Sequence, residues 1–430
     1  MTSSAIPRQR WFRILPFIFF MYMTNMMDRN NIGFGFAGME KDLGISATYA
    51  GLAGGIFAIG YMFLQVHGGL WAERWSAKKL ITIAMVSWGV LATLTGFVQN
   101  LTQLLIIRFM IGFVEGCILP ATVLLLKRWF PLTERGRANS FWMLSIPASA
   151  VIMSPLCGYI LTVSNWRTMF IIEGLIPIVF AVIWWLNVED YPAQAKWLSP
   201  AEKKYIEDAT KEEVKNIQPQ ASAAIVDVLR NRNVIVLILI WFLTQTGFSG
   251  YTIWLPTMIR EFTGASNLSV GFIAALPWVA AMIGIIVNSR HSDKTGERKW
   301  HVIIPAITAT LFLLASTFAA QAGYKTLAVV FLVCCGGFIQ SYYGIWWAIP
   351  TTFLTAEVLA VTLGLVNALG NVGGFFGPFL FGFFKTLTNS NMGGMLFLVT
   401  ASILAPLLLL LLRPEEQKTN TTATTIAVDK

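Results

Sequence analysis

Apolar residues fill this chain in runs of about 20, the length that crosses the hydrocarbon core of a bilayer as a helix rising 1.5 Å per residue. Polar and basic turns separate the runs. Twelve can be read, near residues 14–36, 49–71, 79–98, 102–126, 138–162, 168–187, 233–256, 268–289, 301–320, 325–350, 357–382 and 391–412. A backbone in lipid must satisfy its own polar groups, so runs of this length predict helices and an all-α membrane protein. The first run continues into the polar pair Asp28-Arg29 and is too long for a cleaved leader, so it reads as a retained span. One polar connection is long enough to divide the runs six and six. The expected organisation is a first six-helix half over 1–187, a linker over 188–232, a second half over 233–412 and a disordered tail over 413–430. In the linker, Ser199-Pro200-Ala201-Glu202 offers a capping residue, a proline at the first helical position and a glutamate soon after, which predicts a short surface helix.

Composition agrees: 56% of residues are hydrophobic and 12% charged, about half the charge of a soluble domain, roughly 25%. The net charge of +9 is unevenly placed. Of 31 Lys and Arg, 24 fall on the N-terminal side of the runs, which predicts that this side and both termini are cytoplasmic. The charge therefore reads as membrane topology and not as a nucleic-acid footprint, and the expected setting is a cell membrane, a bacterial inner membrane, with the bilayer as partner. A monomer is expected. The four cysteines lie inside apolar runs, where they pack as small hydrophobes. His67, His291 and His301 lack metal-ligand spacing and no glycine-rich phosphate loop occurs, so neither an enzyme with catalytic residues nor a metal or cofactor is expected.

A short pattern repeats 220 residues apart. Glu73-Arg74, Ser76 and Lys78-Lys79 after the second run match Asp293-Lys294, Gly296 and Arg298-Lys299 after the eighth in order and spacing. Two six-run halves sharing this turn resemble the major facilitator superfamily, whose G-x-x-x-D-R-x-G-R-K loop is matched with Glu73 for Asp and Ser76 for Gly. The resemblance implies twelve transmembrane helices in two pseudo-symmetric six-helix halves, the major facilitator fold, with a mid-membrane site exposed alternately to either side. It also implies that Glu73, Arg74 and Asp293 form a cytoplasmic gate that breaks on opening, although plain positive-inside charge also accounts for such turns.

Five charges sit within the runs: Asp28, Glu115 and Glu173, and Arg29 and Arg108. Each costs about 2.5–3.5 kcal/mol at the centre of a span, so each should face protein or a water-filled cavity. Asp28 and Arg29 point about 100° apart on a helix, which lets one address a central cavity and the other a neighbouring helix. Asn25 lies one turn before Arg29, and Arg108 and Glu115 share a face. A closed ion-pair network holding spans 1 and 4 together is the alternative. Glu173 is close enough to the outer end of its run for a structural role.

The resemblance sharpens to the anion:cation symporter family on Met27-Asp28-Arg29-Asn30, Gly60-Tyr61 to Gln65, Arg108 to Gly116, Arg128-Trp129-Phe130-Pro131 and Val366-Asn367 onward. It implies that Arg29 takes a substrate carboxylate, that Tyr61, Gln65, Trp347 and Asn367 contact the remainder, that Asp28 and Glu115 couple protons and that Arg108 supports the charge. The implied activity is proton-coupled symport of a small organic anion, with the proton as coupling ion. Ile146 or Pro147 stands where sugar-acid members carry a polar side chain in span 5, and the ring-rich stretch Tyr342 to Trp347 favours a less hydroxylated or aromatic acid. In span 7 Thr244, Gln245, Thr246 and Tyr251 are further cavity candidates, and Asn371 lies four residues after Asn367, which suggests one polar face on span 11. A drug or cation antiporter of the same fold, and a membrane sensor that transports nothing, are the competing readings.

Overall fold

In a computed structural model the chain is described at residues 8–216, 225–352, 354 and 356–412. The expected tail lies outside these residues, as does part of the linker. Eleven helices among the described residues are long and apolar enough to cross a membrane, and the first span adds a twelfth pass as two shorter helices, Leu15–Asn30 and Ile32–Leu43. Spans 2 and 3 are Ala47–Arg74 and Ala77–Thr95. Span 4 is Leu101–Glu115 with Ile118–Trp129, span 5 is Leu132–Met143 with Ser145–Val163, and span 6 is Trp166–Asn187. Spans 7, 8 and 9 are Arg232–Thr263, Asn267–Thr295 and Trp300–Gln321. Span 10 is Lys325–Ser341 with Tyr343–Trp346, span 11 is Ala356–Gly370 with Gly373–Thr388, and span 12 is Asn391–Leu409.

The interruptions at Asn31, Gly116, Leu144 and Asn371 fall within the body of their spans and that at Tyr342 near the basic end of span 10, and the hydropathy pattern passes over them. The first has a visible cause. Asn31 turns its amide to Asp28 and to Glu173 of span 6, a demand from another helix that a sliding apolar window does not register. Large residues such as Ile83, Val179, Leu186 and Ile283 remain exposed on the outer surface, as expected where lipid, not water, is the neighbour.

The two halves meet through spans 1 and 7, 2 and 11, and 5 and 8. Small residues permit it. A Cβ on Gly51 would lie 2.2 Å from the Pro378 carbonyl oxygen, and one on Gly158 would lie 2.5 Å from that of Asn267 and 3.0 Å from Gly271 Cα. Cross-half hydrogen bonds run from Asn267 Nδ2 to the Leu161 carbonyl at 2.8 Å and between the Thr48 and Thr386 hydroxyls at 2.9 Å. All of these contacts lie toward the end opposite the basic turns. At the basic end Glu73 and Arg74 are exposed and make no ion pair among the described residues, while Asp293 is exposed and bonded at 2.7 Å to Arg298 in its own turn. The bundle is closed at one end and unlatched at the other.

On the basic end, the linker helix Pro200–Asn216 docks on the first half as the capping sequence suggests. Arg10, 1% exposed, pairs with both Glu134 and Glu202. Glu134 Oε1 also accepts the Tyr205 hydroxyl at 3.1 Å, and Arg135 grips Glu213 with bonds of 2.9 and 3.0 Å. Beside them Asp190, at the exit of span 6, accepts from Ser76 and pairs at 3.2 Å with Arg128.

Removing one partner from a buried charge pair leaves the other uncompensated, so Arg10→Met should destabilise the first half by about 3–5 kcal/mol, read as a fall in the denaturation midpoint of the purified protein. Overpacking at Gly158 by valine should cost about 1–3 kcal/mol in the closed end alone, shifting the conformational equilibrium about 5–150-fold. Spin labels at the exposed Val163 and Ser269 should then report longer distances than in the unmodified chain.

Candidate functional site

Asp28 and Arg29 occupy the last turn of the first helix of span 1, and they do point apart. Arg29 keeps 21% of its side chain exposed, whereas Asp28 is 5% exposed and turned into the first half. The Arg29 guanidinium donates from Nε to Glu115 Oε2 at 3.0 Å and from Nη2 to Asn25 Oδ1 at 3.2 Å. It lies over the rings of Tyr61 and Phe57, 4.4 and 5.3 Å from their centroids. Two aromatic faces hold the cation in place and leave one edge free.

Behind it, Arg108 is fully buried, with Nη1 donating to the Asp28 carbonyl oxygen at 3.4 Å and its guanidinium 5.4 Å from the centre of the Phe57 ring. Asp28 Oδ1 accepts from Asn31 Nδ2 at 3.2 Å, and the same amide donates to Glu173 Oε2 at 2.6 Å. Cys157 Sγ donates to Glu173 Oε1 at 3.1 Å. Glu173 therefore sits 6% exposed inside the first half, not at the outer interface where its place in the run suggested, because Asn31 reaches it from the break in span 1.

Three carboxyl groups thus share one buried network with two guanidinium groups. If every group is ionised the network carries one uncompensated negative charge (three minus two). Asp28 Oδ2, Glu115 Oε1 and two nitrogens of Arg108 have no hydrogen-bond partner among the described residues. Burying unpaired charge is costly, so this network responds strongly to one more charge or one more proton.

The second half offers neutral groups. Gln245 Nε2 donates to Asn371 Oδ1 at 3.1 Å, Asn371 Nδ2 donates to Asn367 Oδ1 at 3.2 Å, and the Tyr343 hydroxyl donates to Gln245. Trp347 is half-buried with its ring edge-on to Trp241, 4.8 Å between centroids, and Trp346 stacks on the other side of Trp241. The rings of span 10 are thus largely engaged with Trp241 of span 7, which weakens the argument from them for an aromatic ligand. Spans 2 and 11 run in opposite directions, with Gly51 against Pro378, Gly55 against Phe375 and Ala58 against Gly374. Gln65, two turns beyond Ala58 toward the basic end, is half-buried.

The structure therefore brings Arg29, Asp28, Glu115, Arg108 and Tyr61 into one cluster, and Asn367 and Trp347 into a second set joined through Gln245, Asn371, Tyr343 and Trp241. Glu73, Arg74 and Asp293 lie apart from both, at the basic end. Sequence reasoning missed Asn31, Cys157 and Phe57. Asn31 had a signal, standing one turn after Asp28; the others are contacts between spans.

The chain matches the sequence model of the Major Facilitator Superfamily over residues 18–378. It is 35% identical over 96% of its length, and 96% of the other chain, to a putative tartrate transporter of Agrobacterium vitis. It is 26% identical to a quinolone resistance transporter of Acinetobacter baumannii over 95% and 96% of the two chains. Among solved structures it is similar to an inward-facing, occupied bacterial homologue of the human lysosomal transporter Spinster, with a TM-score of 0.74 at 15% identity over 94% and 97%. Twelve passes in two halves meeting along spans 1, 2, 5, 7, 8 and 11, together with a family match covering most of its length, establish that this chain belongs to the major facilitator superfamily of membrane transporters.

Proposed function

We propose that this protein carries a small hydroxy-carboxylate of tartrate's kind together with a proton, by alternating access, in a cell membrane with its basic face and both termini in the cytoplasm. The observation that carries the reading is Arg29, a part-exposed cation on two aromatic rings beside a fully buried acid. A carboxylate entering from the open end can take the free edge of this guanidinium in two parallel hydrogen bonds. Arg108 is sealed behind Phe57 and is unavailable for a second charge. Hydroxyls or a second carboxylate on the ligand would meet the amides of Gln65, Asn367, Asn371 and Gln245.

Coupling follows from the charge count. The network without ligand carries three acids against two bases, and an arriving carboxylate makes it four against two. In a site shielded from water the added charge is neutralised most cheaply by a proton, and Glu115, which then shares Arg29 with the ligand, is the group placed to take it. Anion and proton then favour each other's binding by the same factor. Asp28 sits on the far side of the same charges and acts as the second carrier. The loaded, neutralised site is the one that can be occluded, so an inward proton gradient drives uptake.

The Acinetobacter relative supports a second reading, export of quinolones; a chain that lowers quinolone accumulation in cells while leaving tartrate uptake at background would establish it instead.

Uptake of radiolabelled tartrate into proteoliposomes should rise when the exterior is made acidic and collapse with a protonophore. Uptake indifferent to both removes the symport reading. Arg29→Lys keeps the charge and loses the fork, which at about 1.5–3 kcal/mol for a charge-assisted bond means affinity roughly 10–150-fold weaker by titration calorimetry. Glu115→Gln should retain exchange of internal for external anion and lose gradient-driven accumulation; accumulation equal to the unmodified protein would take Glu115 out of the coupling step.

A further inference from the structure

An elongated cavity lies away from the charged network, between spans 8, 9 and 10 of the second half. It has a volume of about 610 Å³ and walls that are almost wholly apolar, within the range of small-molecule pockets, about 300–1,000 Å³. On span 8 it extends from Ala280 to His291, about 16 Å at 1.5 Å per residue. Spans 8 and 10 close its floor, where a Cβ on Gly284 would stand 2.5 Å from the Gly337 carbonyl oxygen. Its rim faces outward from the bundle: Ile283, Val287 and Ile304 are 60%, 61% and 59% exposed.

The upper end is polar. Asn288 Nδ2 donates to the carbonyl oxygens of His301 at 2.9 Å and Ser341 at 3.1 Å, tying all three spans together. His291 Nδ1 lies 2.6 Å from His301 Nε2, and His301 Nδ1 lies 3.0 Å from Glu297 Oε2. The turn above, residues 290–301, carries Arg290, Lys294, Arg298 and Lys299 against Asp293 and Glu297. Both acids are already engaged, Asp293 by Arg298 and Glu297 by His301. Arg290, Lys294 and Lys299 make no ion pair among the described residues, so a long apolar slot opening toward lipid ends beneath three unpaired cations.

We propose that this slot seats an acyl chain of an anionic phospholipid, with the phosphate held under the turn by His291, Arg290, Lys294 and Lys299. The occupant is a lipid because the walls below the polar end are apolar and the opening faces the bilayer. It is an anionic lipid because the turn's own acids are spent on other partners. A seated chain packs beside Ser341, one residue before the break at Tyr342 that delivers Tyr343 to Gln245, and so braces the point where span 10 bends toward the transport site.

Cys334 supplies the readout, since it lines the slot and is part-exposed, while Cys117, Cys157 and Cys335 are buried. The purified full chain in detergent is labelled with a small neutral maleimide, followed by intact mass, with phosphatidylglycerol or phosphatidylcholine added at equal mole fraction and Cys334→Ser as control. Phosphatidylglycerol should slow labelling of Cys334 by at least about fivefold more than phosphatidylcholine, the effect of a single surface cation or more. The triple variant R290Q/K294Q/K299Q should lose that difference while still folding, as judged by its elution and thermal midpoint. Equal protection by both lipids, protection by neither, or a difference that survives in the triple variant would each overturn the proposal.

Discussion

Everything in the first half is arranged around ionised groups held out of water. A carboxylate or guanidinium at mid-membrane is tolerated only where partners compensate it, and here the compensation is incomplete: Arg29 and Arg108 stand against Asp28, Glu115 and Glu173. The imbalance is spread through neutral intermediaries. Asn31 donates to two of the acids, Cys157 to one, and the faces of Phe57 and Tyr61 support the cations. A network that were fully paired would be a structural clasp. This one is a single charge from balance and has one member, Arg29, at the edge of the accessible space.

The same half supplies the rigid frame and the second half the neutral surface opposite it. Backbone contacts between Gly51 and Pro378 and between Gly158 and Gly271 draw the two together at one end, while Glu73, Arg74 and Asp293 stand unlatched at the other. Arg29 keeps 21% of its side chain exposed, whereas Arg108 is fully buried. The amides of spans 7 and 11 form a chain of their own, in which Gln245, Asn371 and Asn367 satisfy one another.

Much of this was legible in the linear pattern. Twelve apolar runs fixed the class because a bilayer admits few backbone solutions, and the cost of charge in lipid singled out Asp28, Arg29, Arg108 and Glu115 before any contact was known. Helical geometry also separated the directions of Asp28 and Arg29. Less was legible where partners come from elsewhere. Glu173 read as near an interface and is buried, since only folding puts Asn31 beside it. The sequence left Trp347 open between cavity lining and packing, and in the fold both Trp346 and Trp347 pack on Trp241, a residue more than 100 positions away.

By itself, then, the sequence determined the solvent, the number of passes and which residues were too expensive to be there without a reason, because each depends on local composition measured against a uniform apolar medium. Only the tertiary structure decided which charges meet, which of the two arginines stays reachable, where the helices break and which end of the bundle is shut. Those outcomes depend on distances between segments far apart in the chain, which close approaches of backbone at glycine set and no window along the sequence contains.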